Sequence, residues 1–174
     1  LSPEELLRLY EEGKDFIIVD ARNWYESKIG KFKNAITPPM KNFREWKKVV
    51  DEELKEYKNK IVVTYCTGGI RCEKASAYMI EKGFNDVYQL DGGIVNFIKK
   101  FPDTYWEGGM FVFDERRVVN PNSKEELKHI AQCHFCGKLT SYYINCHNVD
   151  CDKIIVSCHE CKVKNEYCCS NECR

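Results

Sequence analysis

Nine of the eleven cysteines of this 174-residue chain fall in its last 42 residues, and that asymmetry limits the fold more than any other feature. They stand in two Cys-x2-Cys knuckles, CHFC (Cys133, Cys136) and CHEC (Cys158, Cys161), with Cys146 and Cys151 between them and Cys168, Cys169 and Cys173 after. All four histidines (His129, His134, His147, His159) lie in or beside the same region. The chain opens LSPEELLRLYEEGKD, which reads as an amphipathic helix and not as a signal peptide. It has no initiator methionine, as expected of a piece of a longer protein. Cysteines clustered this way without a secretory leader favour thiolate metal ligation in a reducing, cytoplasmic setting over disulfides.

Tetrahedral zinc takes four soft ligands, and x2 spacing lets two thiolates of one tight turn share an ion. Eight cysteines (Cys133, Cys136, Cys146, Cys151, Cys158, Cys161, Cys169, Cys173) then hold two zinc ions, with Cys168 and the histidines as bystanders. Two pairings stay open. Either the knuckles share one ion and the 146/151 and 169/173 pairs the other, or the pairs combine in chain order. The segment 130–174 has few large aliphatics, so metal supplies much of its stability. All-cysteine sites have no open position, which makes these ions structural.

Upstream, short β-rich runs alternate with helical patterns. DFIIVDA and NAITPP are strand candidates, the latter stopped by Pro38 and Pro39. FREWKKVVDEELKEYKN has apolar residues at helical spacing, KIVVTYC is a strand buried on both faces, and RCEKASAYMIEKG is a helix closed by Gly83. DVYQLDGG supplies another strand and IVNFIKKF a short helix. This order predicts an α/β fold, a parallel sheet flanked by helices over 1–105, then an extended aromatic connection over 106–129 and the cysteine-rich segment 130–174. No apolar run is long enough to span a bilayer. Formal net charge is zero, so a nucleic-acid partner must be met by a local patch. One candidate is the run from Lys28 to Lys48, with Lys28, Lys31, Lys33, Lys41, Arg44, Lys47 and Lys48 against Glu45 alone. It reads equally as a solvated face.

The chemistry points to CTGGIRC: Cys66, Thr67, Gly68, Gly69, Ile70, Arg71, Cys72. A cysteine between a strand end and a helix start meets free amides that favour its thiolate. Gly68 and Gly69 let the backbone curl around one anion, and Arg71 sets a positive charge at the rim. Dual-specificity and tyrosine phosphatases use a Cys-x5-Arg loop. The Cys-x4-Arg loop here makes a tighter ring, suited to a single sulfur rather than a phosphate. Cys72 is either a small residue of the first helical turn or a thiol that resolves a persulfide or sulfenate on Cys66.

IVDARNWYESKIGKFKNAI, CTGGIRC and GFNDVYQLDGGIVNF together resemble a rhodanese domain. The resemblance matches Asp20, Arg22 and Glu26 to an Asp-x-Arg-x3-Glu element, with Asp20 and Arg22 supporting the site, and Gly92 and Gly93 to a later Gly-Gly. Many rhodaneses have Gly-His-Ile where this chain has KIGKFKNAI. CTGGIRCEKASAY, LDGGI, WEGGMFVFDERRVV, INCHNVDC and CCSNEC, in that order, resemble the rhodanese-like tRNA uridine hydroxylases. That resemblance implies oxygen-dependent C5-hydroxylation of the wobble uridine of tRNA, with Cys66 required, and a further N-terminal α/β domain in the whole protein. The loop by itself implies a sulfurtransferase carrying sulfane sulfur from a donor on Cys66. A non-catalytic zinc-bearing adaptor is the third reading, disfavoured by the intact Cys66 and Arg71.

Overall fold

The computed structural model describes residues 1–102 and 104–174. The chain divides into two compact units, Leu1–Ser27 with Lys31–Trp106, and Lys28–Gly30 with Glu107–Arg174.

The first unit is built on three parallel strands: β1 (Phe16–Asp20), β3 (Ile61–Tyr65) and β4 (Asp86–Gln89), in the order β1-β3-β4. A short β2 (Gly30–Phe32) lies between β1 and β3 in sequence. β3 is the middle strand, aligned Val63 with Ile18 of β1 and with Tyr88 of β4. Its residues Val62 to Tyr65 are fully buried, the reason its sequence does not alternate. The helices are α1 (Pro3–Glu11), α2 (Trp24–Ile29), α3 (Trp46–Glu52), α4 (Ile70–Glu81) and α5 (Gly93–Lys100). α1 starts with a capping box between Ser2 and Glu5, worth about 1 kcal/mol. α4 packs on β3 and β4, and α3 on α4. The core joins Val19, Trp46, Val50, Leu54, Val62, Cys72 and Met79. Trp46 Nε1 donates to the Ala75 carbonyl at 3.2 Å, fixing α3 to the helix that follows the candidate loop.

Two sequence expectations change in detail. The helix expected across FREWKKVVDEELKEYKN is broken into a 3-10 turn (Phe43–Glu45), α3, and a second 3-10 turn (Lys55–Tyr57). Asp51, Glu52 and Glu53 put three negative charges at the carbonyl end of α3, where the helix dipole disfavours them. NAITPP forms a single parallel bridge, Ile36 to Val19, because the two prolines remove the donors that would extend it.

In the second unit, β6 (Met110–Phe111) and β7 (Val118–Val119) pair antiparallel, as do β8 (Tyr143–Asn145) and β9 (Ile154–Val156), and α6 (His159–Lys164) follows. β5 (Trp106–Gly108) begins this stretch, so 106–129 carries short strands where an extended connection was expected. A small cluster of Ile144, Cys146, Ile155, Cys168 and Cys169, with Phe135, Tyr167 and Cys173 packed against it, forms a core in the cysteine-rich segment. Among the described residues, no helix is long and apolar enough to cross a membrane.

Candidate thiolate loop and paired four-cysteine centres

Cys66 follows β3 directly and is 1% exposed. The chain then turns through Gly69, whose φ of 93° caps α4 in a left-handed conformation that favours glycine. Gly68 has no such requirement and a Cβ there would meet open space, so only one of the two loop glycines is demanded by the curl. The Gly69 N–H donates to Cys66 Sγ at 3.1 Å. The loop is pinned from behind by α5, where Ile94 N–H donates to the Cys66 carbonyl (3.0 Å) and Val95 N–H to the Thr67 carbonyl (3.1 Å). A Cβ at Gly93 would overlap both of those carbonyl oxygens, which explains the second glycine of LDGGI.

This cradle holds the Cys66 thiol down to about 5. The largest cause is a hydrogen bond from the Cys72 thiol; burial opposes it, and the amides of Arg71 and Cys72 and then the Arg71 charge add to it. The Cys72 thiol is pushed far up by donating to Cys66 and by its own burial. At neutral pH the loop therefore presents one thiolate and one protonated thiol bound to it.

Arg71 supplies the positive charge expected beside Cys66 and is itself firmly anchored. It is clamped by the fully buried Glu26, Nη1 to Oε2 at 2.6 Å and Nη2 to Oε1 at 2.8 Å, with Thr67 Oγ1 3.4 Å from Nη2. Glu26 also accepts from the Asn23 N–H at 3.0 Å. Asp20 and Arg22 form a second buried pair (2.7 and 2.9 Å), joined by the Tyr65 hydroxyl on Asp20 at 2.7 Å. Arg22 lies 5.6 Å from the Tyr65 ring centroid and 5.4 Å from that of Trp106. Each buried charge thus has its counter-charge, without which desolvation would be prohibitive. Tyr65 escaped the sequence reading because nothing local marks a strand tyrosine as an acid's partner. Ile70, the first residue of α4 and next to Arg71, is 81% exposed.

In the second unit, Cys133, Cys136, Cys158 and Cys161 come together, as do Cys146, Cys151, Cys169 and Cys173, every sulfur within 4.8 Å of the others in its group. The pairing is the crossed one. Neighbouring sulfurs lie 3.8 Å apart (Cys136, Cys158) and 3.6 Å apart (Cys151, Cys169; Cys169, Cys173). A tetrahedron with ion–sulfur bonds of about 2.3 Å has edges of about 3.8 Å, whereas a disulfide needs about 2.05 Å. All eleven cysteines are free. The electrostatics agree with a cation site. Burial and neighbouring sulfurs push Cys161 and Cys169 up to about 12. Against its own burial, Cys133 is drawn down to about 6, chiefly by the Cys136 and Cys158 amides. Crowded thiols cannot all ionise without a cation among them. Each group fits one metal ion. Cys168 and the histidines belong to neither group.

A thiolate loop between a parallel strand and its following helix, backed by an Asp–Arg–Tyr network, defines an α/β domain with its cysteine at the carboxyl end of the middle strand. The chain belongs to the rhodanese-like family: residues 2–100 match the rhodanese-like domain, and residues 107–174 match the family described as rhodanase C-terminal. Proteins curated as tRNA uridine(34) hydroxylase are similar along nearly its whole length. That of Aster yellows witches'-broom phytoplasma is 44% identical over 180 residues, and that of Chlamydia felis 40% over 176, each covering 99% of this chain. The chain spans about half the length of these relatives, 56% and 54%. Among solved structures, the Alr3790 protein from Anabaena sp. is 22% identical with a TM-score of 0.52, over 67% of this chain and 96% of that one. A Rhodopseudomonas palustris protein described as a possible tyrosine phosphatase is 22% identical with a TM-score of 0.51, over 58% and 80%. At this identity, both likenesses concern the fold.

Proposed function

We propose that this chain is the rhodanese-like and cysteine-rich portion of a tRNA-modifying enzyme that hydroxylates C5 of the wobble uridine with molecular oxygen, Cys66 being the required residue. The observation that carries this is 44% identity to a tRNA uridine(34) hydroxylase across 99% of the chain. The site supports it with a thiolate at neutral pH, held by Gly69, Arg71 and Cys72 in a loop whose carbonyls accept from the α5 amides. Two structural zinc ions, one in each four-cysteine group, hold the second unit together. The exposed Lys41, Arg44 and Lys47, in and just before α3, contact tRNA phosphates.

The test is mass analysis of tRNA from cells deleted for the gene. Hydroxylated uridine should disappear, return with the full-length protein, and stay absent with the full-length Cys66→Ser. Hydroxylated uridine that persists in the deletion sinks the reading. For the lysine run, reversing Lys41, Arg44 and Lys47 in the full-length protein should flatten the salt dependence of tRNA binding by about one unit of slope per lost contact. An unaltered slope makes the run a solvated face.

One feature favours a second reading, sulfur transfer: the ring around Cys66 is sized for a single sulfur. The Cys66 thiolate would attack the sulfane sulfur of thiosulfate, forming a Cys66 persulfide and releasing sulfite. In that case the deletion removes thiolated bases instead.

A further inference from the structure

The second unit carries a partly open cavity of about 380 Å³ that none of the sulfur or metal chemistry uses. It is lined by Glu115, Arg116, Arg117, His129, Tyr142 and Lys162 among others. Its volume falls within the range of ordinary small-ligand sites and admits one nucleotide, not a helix. We propose that this cavity binds a single unstacked nucleotide of a single-stranded RNA segment, with the base on Tyr142 and the phosphate on Arg117 and Lys162.

The aromatic element comes first. Tyr142 is 62% exposed although its backbone is fixed, its N–H donating to Thr140 Oγ1 (3.2 Å) and its carbonyl accepting from Ser157 N–H (3.0 Å). Among the described residues no other ring stacks on it. A rigid, half-bare aromatic beside cations is the arrangement on which unpaired bases stack.

The cations follow. Arg117 stands in a left-handed conformation (φ 60°) in the β6–β7 turn, a position where glycine or asparagine would cost less. Its side chain is held in place, Nη1 lying 3.4 Å from the Tyr143 carbonyl and the guanidinium 5.7 Å from the Tyr143 ring centroid. Lys162 sits 5.9 Å from the Tyr167 ring centroid. Among the described residues neither Arg117 nor Lys162 has a carboxylate partner. Arg116 is different, since Asp114 pairs with it at 2.6 Å. Glu115 is the one acid on the lining, and a carboxylate there suits a base amino group or a ribose hydroxyl better than a phosphate. His129 shares a 2.8 Å hydrogen bond between Nδ1 and Ser141 Oγ, which fixes its ring and leaves Nε2 for the ligand. Stacking, two unpaired cations and polar groups for an edge or a 2′-hydroxyl describe a nucleotide rather than a bare anion.

The biological sense of this site rests on the RNA-modifying reading above, but its test does not use that activity. Fluorescently labelled single-stranded hexauridylate is titrated onto the chain, purified without chelator, and anisotropy is followed over a range of salt. Tyr142→Ala should weaken binding about 5- to 150-fold, the worth of one base stacked on a ring, while Tyr142→Phe binds as the parent does. Arg117→Ala and Lys162→Ala should each reduce the salt slope by about one. Unchanged affinity in Tyr142→Ala, with unchanged slopes in the other two, overturns the proposal. So does competition by inorganic phosphate that is complete and indifferent to Tyr142, which would mark an anion site only. Metal content and circular dichroism confirm that each variant is folded. Hydroxylated uridine persisting in the deletion strain would defeat the functional reading and leave Tyr142-dependent binding standing. Binding that ignores Tyr142 would defeat only the cavity.

Discussion

Replacing Cys72 with alanine removes the largest of the interactions that hold the Cys66 thiol at about 5. A hydrogen bond to a charged group is worth about 1.5–3 kcal/mol, and one pKa unit about 1.4 kcal/mol, so the midpoint should rise by about one to two units. At pH 6 the thiolate fraction should then fall from about 90% to between about 50% and 10%. The assay is the rate of iodoacetamide alkylation of Cys66 against pH, with the labelled cysteine identified by mass. Cys72→Ser keeps a donor at the same place and should hold the midpoint near its original value. Cys72 is fully buried, so the alanine variant also leaves a small void costing about 1 kcal/mol. That loss lowers the melting temperature without moving the midpoint of a protein that is still folded. An alanine variant whose alkylation profile coincides with the parent's would refute the donor role. A serine variant that shifts as far as alanine would do the same, because the effect would then be packing.

Because Cys66 ionises at about 5 in the fold and at about 8.5 in an unfolded chain, the unfolded chain holds the extra proton between those values. Stability from this group is complete above about pH 8.5 and lost as pH falls through about 5. The difference in unfolding free energy between parent and Cys66→Ser should rise with pH across that window by at most about 1.4 kcal/mol per unit; a flat difference contradicts the assignment. Arg71→Ala leaves Glu26 buried and unpaired, so it should destabilise the first unit by about 3 kcal/mol in urea unfolding, and Glu26→Gln in the same background should restore part of the loss. If Arg71 serves only as a charge near Cys66, the double variant will be no more stable than Arg71→Ala. Elemental analysis should find two metal ions per chain, and a strong chelator should unfold the second unit at temperatures where the first still melts cooperatively. Metal-free protein with the second unit intact would reject that role.

How much of the fold and site is legible in the sequence depends on whether the signal is local. β3, the turn at Gly69 and α4 are contiguous, and a buried run followed by Cys-x2-Gly and a helical pattern announces them. The eight grouped cysteines are legible as a set, because thiols crowded at knuckle spacing are the usual form of a soft-metal site. Their pairing is not, since spacing constrains the two members of a knuckle and says nothing of which knuckles meet. Three-dimensional neighbours at long separation stay hidden. Glu26 and Arg71 lie 45 positions apart, and only their bidentate geometry reveals that the arginine whose charge acts on the sulfur is also bound to a buried acid. Cys72 stands out in the sequence, yet its role turns on a proton, and sequence does not say which of two thiols keeps it. The broken α3 reflects three acids whose cost depends on the end of the helix they occupy.

In chain order the grouped cysteines alternate by twos: first group, second, first, second. The segment from Cys136 to Cys158 therefore contains Cys146 and Cys151, and the segment from Cys151 to Cys169 contains Cys158 and Cys161. Each loop is threaded by half of the other centre. When one ion binds, it shortens the stretch of free chain that must be closed for the next, so part of the second ion's entropic cost has already been met. Loading is then close to all-or-none, and native mass spectra taken during slow chelation should be dominated by species with two ions or none. A cell short of metal would hold two populations of this segment, intact and unravelled, with little between.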